Sequence, residues 1–252
     1  MGTIGALRPE TSFSERVSEL LERVDYRTAV SDQEKDDIYR LRYEAYLREG
    51  SISPSFAKRL SDRYDDLDNS WIFGVFVDES LASSIRITVA SSAHAESPAI
   101  ESFHDVLAAE LERDRIIVDP TRFVVDRKFS RLYPDLRYAT TRIAWMACEH
   151  FGADLLLASV RTEHQAFYKR VFGHAVVCDP RPYPTLIKPL SLMVSDFSRQ
   201  RDRVNHRFHF FRSSYFERRM LFGHLDVAAA SPTRRTAAEP GRGAGKVAAL
   251  AG

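Results

Sequence analysis

The stretch from Trp71 to Ala90 constrains the fold more than any other. Trp71 to Val77 is a strongly apolar run, Asp78-Glu79-Ser80 is a short turn, and Leu81 to Ala90 returns as a second run, so the pattern predicts a β-hairpin. Helical patterns surround it. Ser12 with Glu15 and Ser31 with Glu34 each make a capping box, predicting helices over Phe13 to Val24 and from Ser31 to about Arg48. Asp25 to Val30 reads as a strand between them, and Gly50 ends the second helix. Ser51 to Asp68 is polar and irregular.

Ile100 to Leu111 reads as a helix and Ile116 to Val125 as a strand. A basic, proline-containing loop then leads to a helix from about Tyr138 to Phe151, stopped by Gly152. Leu155 to Val160 is a continuous apolar run, as in a strand buried on both faces. A helix from Glu163 to Val171 ends at Gly173, and strands follow at Ala175 to Cys178 and Thr185 to Val194. This alternation predicts an α/β fold, a mixed central β-sheet with helices on both faces. There is no internal repeat.

Composition removes several classes. With 252 residues, 44% hydrophobic and 28% charged, the chain is ordinary globular material. A net charge of +1 gives no global bias toward nucleic acid or membrane. Two cysteines, Cys148 and Cys178, are too few for a disulfide framework and point to a reducing compartment. The N-terminus lacks a basic region followed by an apolar run, and no uncharged apolar stretch is long enough to span a bilayer, so a cytoplasmic location is expected. The expected divisions are an N-terminal helix and extension over 1–24, a main domain over 25–196, a basic aromatic C-terminal helix over 197–230 and a disordered tail over 231–252.

Several polar residues fall where apolar ones belong. Arg42 lies four residues after Ile38, on the stripe defined by Ile38, Leu41 and Ala45, and an inward arginine needs a carboxylate partner. Either a structural ion pair or an active-site role meets that need. Asp62-Arg63-Tyr64-Asp65-Asp66 can supply the partner or can be a solvated acidic loop. Arg86 interrupts the apolar run Ile85 to Val89. In a regular strand Asp119 and Arg122, three apart, point to opposite faces; one bulge residue returns them to a single face, and Pro120 is confined to an edge or bulge. A carboxylate there can act as a base or can lock the strand in an Asp–Arg pair. Cys148 reads as a core thiol, no Ser-His-Asp or Cys-His pattern stands out, and no cluster has metal-ligand spacing.

Five motifs in one order then carry a family resemblance: Leu41-Arg42-Tyr43, Asp62-Arg63-Tyr64-Asp65, Ser84-Ile85-Arg86, Asp119-Pro120-Thr121-Arg122-Phe123, and His164-Gln165-Ala166-Phe167-Tyr168-Lys169-Arg170. From about Asp25 to about Leu190 the chain resembles the FeeM-like N-acyl amino acid synthases of the GNAT fold, and their relatives the LuxI-type acyl-homoserine lactone synthases. The resemblance implies a GNAT (acyl-CoA N-acyltransferase) fold with a bulged fourth strand. It places Asp62 and Asp65 in an acidic pair networked with Arg42 and Arg86, and Asp119 where an acidic residue helps deprotonate the attacking amine. Those lactone synthases usually carry Glu at that position, so the shorter Asp would need an intervening water. Arg122 or Arg86 would hold the acceptor's carboxylate. The segments Asn69 to Val75, with Trp71, and Asp119 to Phe123 fit the FeeM-like pattern better than the lactone synthases. Phe167 and Tyr168 would pack near the thioester, and His164 is read as structural.

In coenzyme A users of this fold a glycine-containing loop cradles pyrophosphate. The corresponding Asp126 to Pro134 has no glycine and is basic and aromatic, which implies a carrier protein, with Arg127, Lys128 and Arg131 as its contacts. The implied donor is the acyl-phosphopantetheine of acyl carrier protein, with no bound cofactor. The implied product is a long-chain N-acyl amino acid. Lactone synthesis and a non-catalytic acyl-binding module are the alternatives. Arg199 to Arg219, rich in Arg, His, Phe and Tyr, can dock a carrier protein, lie on a membrane surface or pack on the domain through its aromatics, the last being preferred. Nucleic acid is disfavoured because no recognition motif accompanies it.

Overall fold

A computed structural model of the chain describes residues 12–223. The extension over 1–11, residues 224–230 and the tail expected to be disordered over 231–252 lie outside the described residues. In order, the elements are α1 (Phe13–Leu21), β1 (Val24–Thr28), α2 (Asp32–Arg48), β2 (Ser70–Val77), β3 (Ser80–Ala90), α3 (Pro98–Ser102), α4 (His104–Glu112), β4 (Ile117–Val125), α5 (Arg127–Leu132), α6 (Leu136–Phe151), β5 (Leu155–Val160), α7 (Gln165–Phe172), β6 (Ala175–Val176), β7 (Ser191–Asp196), α8 (Phe197–Arg207) and α9 (Tyr215–Phe222). Both capping boxes form, at Ser12 with Glu15 and at Ser31 with Glu34.

The strands make one sheet in the order β1-β2-β3-β4-β5-β7-β6. Every neighbouring pair is antiparallel except β4 with β5. The hairpin turns through Asp78 and Glu79, both left-handed (φ 47° and 65°). That backbone matches the twist of the flanking strands. The parallel β4–β5 pair holds register only at Ile117 with Leu155 and Val118 with Leu156. Beyond those positions the two strands part.

One sheet face packs on α6, α1 and the C-terminal aromatics, with Phe73, Ile85, Ile87 and Val118 pointing into that core. On the other face, Ile117, Leu155 and Leu157 pack with Phe103 and Leu107 of the α3–α4 region, while Ile72 meets Ile38, and Val124 meets Leu41 and Ala45, of α2. Among the described residues no helix is long and apolar enough to cross a membrane.

Four expectations change in detail. The helix expected over Ile100 to Leu111 is two helices broken at Phe103, which leaves helical geometry (φ −131°) and buries its ring. The loop after β4 contains α5, because the Asp126 carboxylate caps it by accepting from the N–H groups of Lys128 and Phe129. Thr185 to Leu190 is not strand: Pro184 and Pro189 cannot donate to a ladder, and Thr185 is left-handed (φ 63°). Finally, the single C-terminal helix is two, α8 and α9, joined by a 3-10 turn at His209–Phe211. Phe208, Phe210, Phe211 and Phe222 are buried in the core. Arg142 of α6 clamps this segment, donating to the carbonyls of Phe210 and Arg212 at 2.6 Å each and pairing with Glu217 at 2.5 Å.

Candidate active site

The acidic frame is itself a capping device. Residues Arg63–Asp66 form a 3-10 turn; the Asp62 carboxylate accepts from the Tyr64 N–H and the Asp65 carboxylate from the Asp62 N–H, each at 3.0 Å. Both carboxylates are thereby fixed to one short turn. Three arginines from three elements converge on them. Arg42 of α2 reaches Asp65 at 2.8 Å; Arg86 of β3 reaches Asp62 at 2.5 Å and Asp65 at 3.0 Å; Arg122 of β4 reaches Asp62 at 2.5 Å. All five charged groups are buried at their side chains, none more than 4% exposed. Burial opposes ionisation of Asp62, but Arg122 and Arg86 outweigh it and hold its carboxyl below the usual range. Three guanidinium groups against two carboxylates leave the cluster one positive charge in excess.

The β4 bulge is at Arg122 and Phe123. Arg86 pairs with Thr121 and Ser84 with Val124, so three steps on β4 oppose two on β3. Arg122 takes the left-handed conformation (φ 53°), uncommon for a non-glycine residue. The extra residue puts Asp119, Thr121 and Arg122 toward the same helical layer, where Thr121 accepts from Arg86 at 2.9 Å. Pro120, by contrast, stays in register opposite Ile87.

Asp119 and Arg122 nonetheless take different partners. Arg122 binds Asp62 and the Thr185 hydroxyl. Asp119 is fully buried and its Oδ2 accepts the Ala99 N–H of α3 at 3.1 Å. Burial raises its pKa to about 6, against the downward pull of Ala99, Ser97 and Arg86.

Where β4 and β5 part, a cleft of about 560 Å³ opens. Its walls are mixed, with apolar stretches from Phe123, Leu156, Ala158, Phe167 and Phe172 and polar ones from Thr121, Arg122 and Ser159. Tyr46 and Tyr168 line it too. Of the residues singled out from sequence, Arg122, Phe123, His164, Phe167 and Tyr168 line the cleft, while Asp62, Asp65, Arg42 and Arg86 form the layer behind Arg122. Arg127, Lys128 and Arg131 are exposed on α5, whose Ser130 lines the cleft. Trp71 lies elsewhere: its ring packs 5.1 Å from Phe151 and 6.0 Å from Phe222 in the core beneath the opposite sheet face. His164 is exposed and contacts Arg161, and Cys148 is buried, its thiol pushed well up by burial. Sequence reasoning passed over Thr121, inside a motif it quoted, and Ser159, Tyr183 and Thr185, for which no spacing gave a signal.

An open α/β sheet with a bulged fourth strand, parted from its parallel neighbour over a cleft, defines an acyltransferase of the GNAT type. The chain belongs to the FeeM family: the family model described as N-acyl amino acid synthase FeeM matches residues 37–196. The solved structure of FeeM, an N-acyl amino acid synthase from uncultured soil microbes, is 21% identical, covers 71% of this chain and 94% of that chain, and has a TM-score of 0.59. A CoA-dependent acyl-homoserine lactone synthase, BjaI, solved with SAM and isopentyl-CoA, is 17% identical over 74% of this chain and 89% of its own, with a TM-score of 0.51. The acyl-homoserine lactone synthase LasI is 13% identical over 68% and 89%, also with a TM-score of 0.51. At such identities the likeness is one of fold. No curated protein matches the chain.

Proposed function

We propose that this enzyme transfers a long-chain fatty acyl group from the thioester of acyl carrier protein to the α-amine of an amino acid, giving an N-acyl amino acid. The observation that carries this reading is the excess positive charge of the buried network, brought to the cleft wall by Arg122. An amino-acid carboxylate on Arg122 neutralises it by a charge-assisted pair and presents the α-amine beside the parted strands. Arg122 and Phe123 have no register partner on β3, so the bulge offers backbone N–H to a thioester oxygen as negative charge develops there. The apolar part of the cleft wall suits an acyl chain.

The carrier-protein donor is supported by charge. Asp135 stands immediately before α6, at its N-terminal end, with its carboxylate paired with Arg16 at 3.4 Å; an acidic group at that helix end disfavours a nucleotide pyrophosphate. The exposed cations of α5 suit an acidic protein surface. The purified chain, given acyl carrier protein loaded with a long acyl group and a mixture of amino acids, is expected to yield N-acyl amino acids by mass spectrometry. Reversing Arg127, Lys128 and Arg131 to Glu is expected to raise KM for the loaded carrier by about tenfold, the effect of losing roughly 1.4 kcal/mol, while leaving a short acyl-pantetheine thioester unaffected. Turnover with acyl-coenzyme A alone sinks the carrier assignment, and lactone from S-adenosylmethionine in place of amide sinks the acceptor assignment.

The C-terminal segment adds a peripheral membrane contact, suited to an amphiphilic product. Tyr215, Phe216 and Met220 of α9 are exposed beside Arg219. Flotation with anionic vesicles is expected to carry the protein up, and Tyr215→Ser/Phe216→Ser to leave it at the bottom; equal flotation of both sinks this contact.

A further inference from the structure

A substrate carboxylate has to reach Arg122, yet that side chain is only 2% exposed. Its hydrogen bonds show what stands in the way. Asp62 Oδ2 accepts from Nε at 3.0 Å and from Nη2 at 2.5 Å, and so holds one edge of the guanidinium. The face of the group lies over the Tyr46 ring, 5.5 Å from its centre. The second Nη2 proton goes to the Thr185 hydroxyl. Nη1 makes no hydrogen bond among the described residues. A carboxylate bound by two parallel bonds needs two adjacent guanidinium nitrogens. The edge left for it is Nη1 with Nη2, and Thr185 already holds the Nη2 proton on that edge.

Thr185 is held there under strain. Its φ of 63° is left-handed, an outlier for a β-branched side chain, and its partner Arg122 is left-handed too, at 53°. Two strained residues, 63 apart in sequence, thus meet in one hydrogen bond at the cleft wall. The segment around Thr185, residues 183–189, carries prolines at 184 and 189 that have no N–H to give. Among the described residues its other polar ties to the rest of the fold are the Ile187 N–H on the Ser51 carbonyl at 2.9 Å and Lys188 Nζ on the Glu49 carbonyl at 2.6 Å. The segment is therefore a strap, running from Tyr183 in the apolar cluster of Phe103 to the end of α2. Thr185, Ile187 and Pro189 are exposed along it, while Leu186 and Lys188 line the cleft. One side of the strap meets solvent and the other meets the cleft.

We propose that Thr185 holds the place of the acceptor's carboxylate on Arg122, and that the strap swings out when the acceptor takes that place. The inference rests on the acyl transfer to an amino acid proposed above and adds how the acceptor gains entry. Before the acceptor binds, the hydroxyl satisfies Nη2 of a guanidinium whose cluster carries one positive charge in excess. A carboxylate is a charged acceptor and a hydroxyl a neutral one, so the exchange favours the substrate. Release of Thr185 also frees its backbone from the left-handed region. Leu186 and Lys188 beside it carry the movement to the cleft wall. An amine without a carboxylate offers Arg122 no better partner than Thr185 and leaves the strap in place. Thr185 acts through Arg122, so it is a positioning residue.

Two measurements on the full chain decide the matter. Thr185→Val keeps the shape and removes the hydroxyl, while Thr185→Ser keeps the hydroxyl. With saturating loaded carrier, Thr185→Val is expected to lower KM for the acceptor amino acid about tenfold at similar kcat, because nothing has to be displaced, and Thr185→Ser to retain the KM of the unmodified enzyme. A hydroxyl that only braces Arg122 predicts the opposite sign, so a raised or unchanged KM in Thr185→Val overturns the proposal. The second measurement needs no turnover. Hydrogen exchange at the Ile187 N–H is expected to speed up when a mixture of amino acids is added, to ignore the corresponding amino-acid amides, and to be fast in Thr185→Val without either. Exchange indifferent to the amino acids, or equally responsive to their amides, overturns the strap. Absence of any N-acyl product from the unmodified enzyme overturns the proposed function instead, and the exchange measurement still decides whether a carboxylate displaces Thr185.

Discussion

Asp65→Ala is expected to lower the thermal midpoint by roughly 10 °C, read by circular dichroism at neutral pH. The Asp65 Oδ1 accepts from both Arg42 and Arg86, two side chains with no solvent exposure. Removing it leaves Arg42 a buried cation without its carboxylate and Arg86 with Asp62 alone, and breaking a buried pair typically costs about 3–5 kcal/mol. Among the described residues Arg42 pairs with no second carboxylate; the Tyr39 ring lies 5.4 Å away. The double change Arg42→Met with Asp65→Ala should recover part of the loss, because one uncompensated charge leaves with its partner. A midpoint within about 2 °C of the unmodified protein, as for an exposed pair, would show that the network does not hold the fold. Asp62 adds a pH dependence of fixed sign. Its folded pKa lies below the ordinary 3.8, so its stabilisation is complete above that value and is lost as pH falls through the lower, folded one.

Asp119→Asn should separate catalysis from stability in opposite directions. Turnover is expected to fall by about 10²–10⁴-fold, the usual contribution of a positioned base. Stability is expected to rise. The folded pKa is about 6 against an ordinary 3.8, so between those values the folded chain holds a proton that the unfolded chain releases. Stability therefore drops as pH rises from about 4 to 6, and the full penalty, about 3 kcal/mol for a shift of this size, is present above pH 6. Asparagine is the same shape, keeps an oxygen for the Ala99 N–H and carries no such penalty. The variant should melt higher than the unmodified enzyme at pH 8 and alike at pH 4. A variant that is both active and unchanged at pH 8 would make Asp119 a cap for α3 and nothing more.

The parts of this site that were legible in the sequence are those where a charge interrupts a periodic pattern. Arg42 on the stripe of α2 and Arg86 inside an apolar strand both announced a partner, and the D-x-x-D frame offered one. The bulge in β4 was legible from Asp119 to Arg122, but its seat at Arg122 was not, because nothing in the residue types marks a left-handed arginine. Trp71 shows the opposite error of scale: a segment fitted the family pattern while its ring simply fills the core. Tyr183 lies in an irregular stretch with prolines at 180, 182, 184 and 189, where there is no period to read. Its placement depends on Phe103 and on the parted strands, contacts between regions far apart in the chain.

The sharing of two carboxylates by three guanidinium groups has a consequence for how such a sequence can drift. Arg42, Arg86 and Arg122 come from a helix and two strands, yet none has a private partner. A substitution at either aspartate strands one cation, Arg42 for Asp65 or Arg122 for Asp62, and takes one of its two partners from Arg86, while a substitution at an arginine changes the balance felt by the remaining groups. Intermediates that alter one position pass through a folded state carrying an unmatched interior charge. The five positions therefore form a single inherited unit, replaceable together by an apolar set of similar volume but resistant to stepwise exchange.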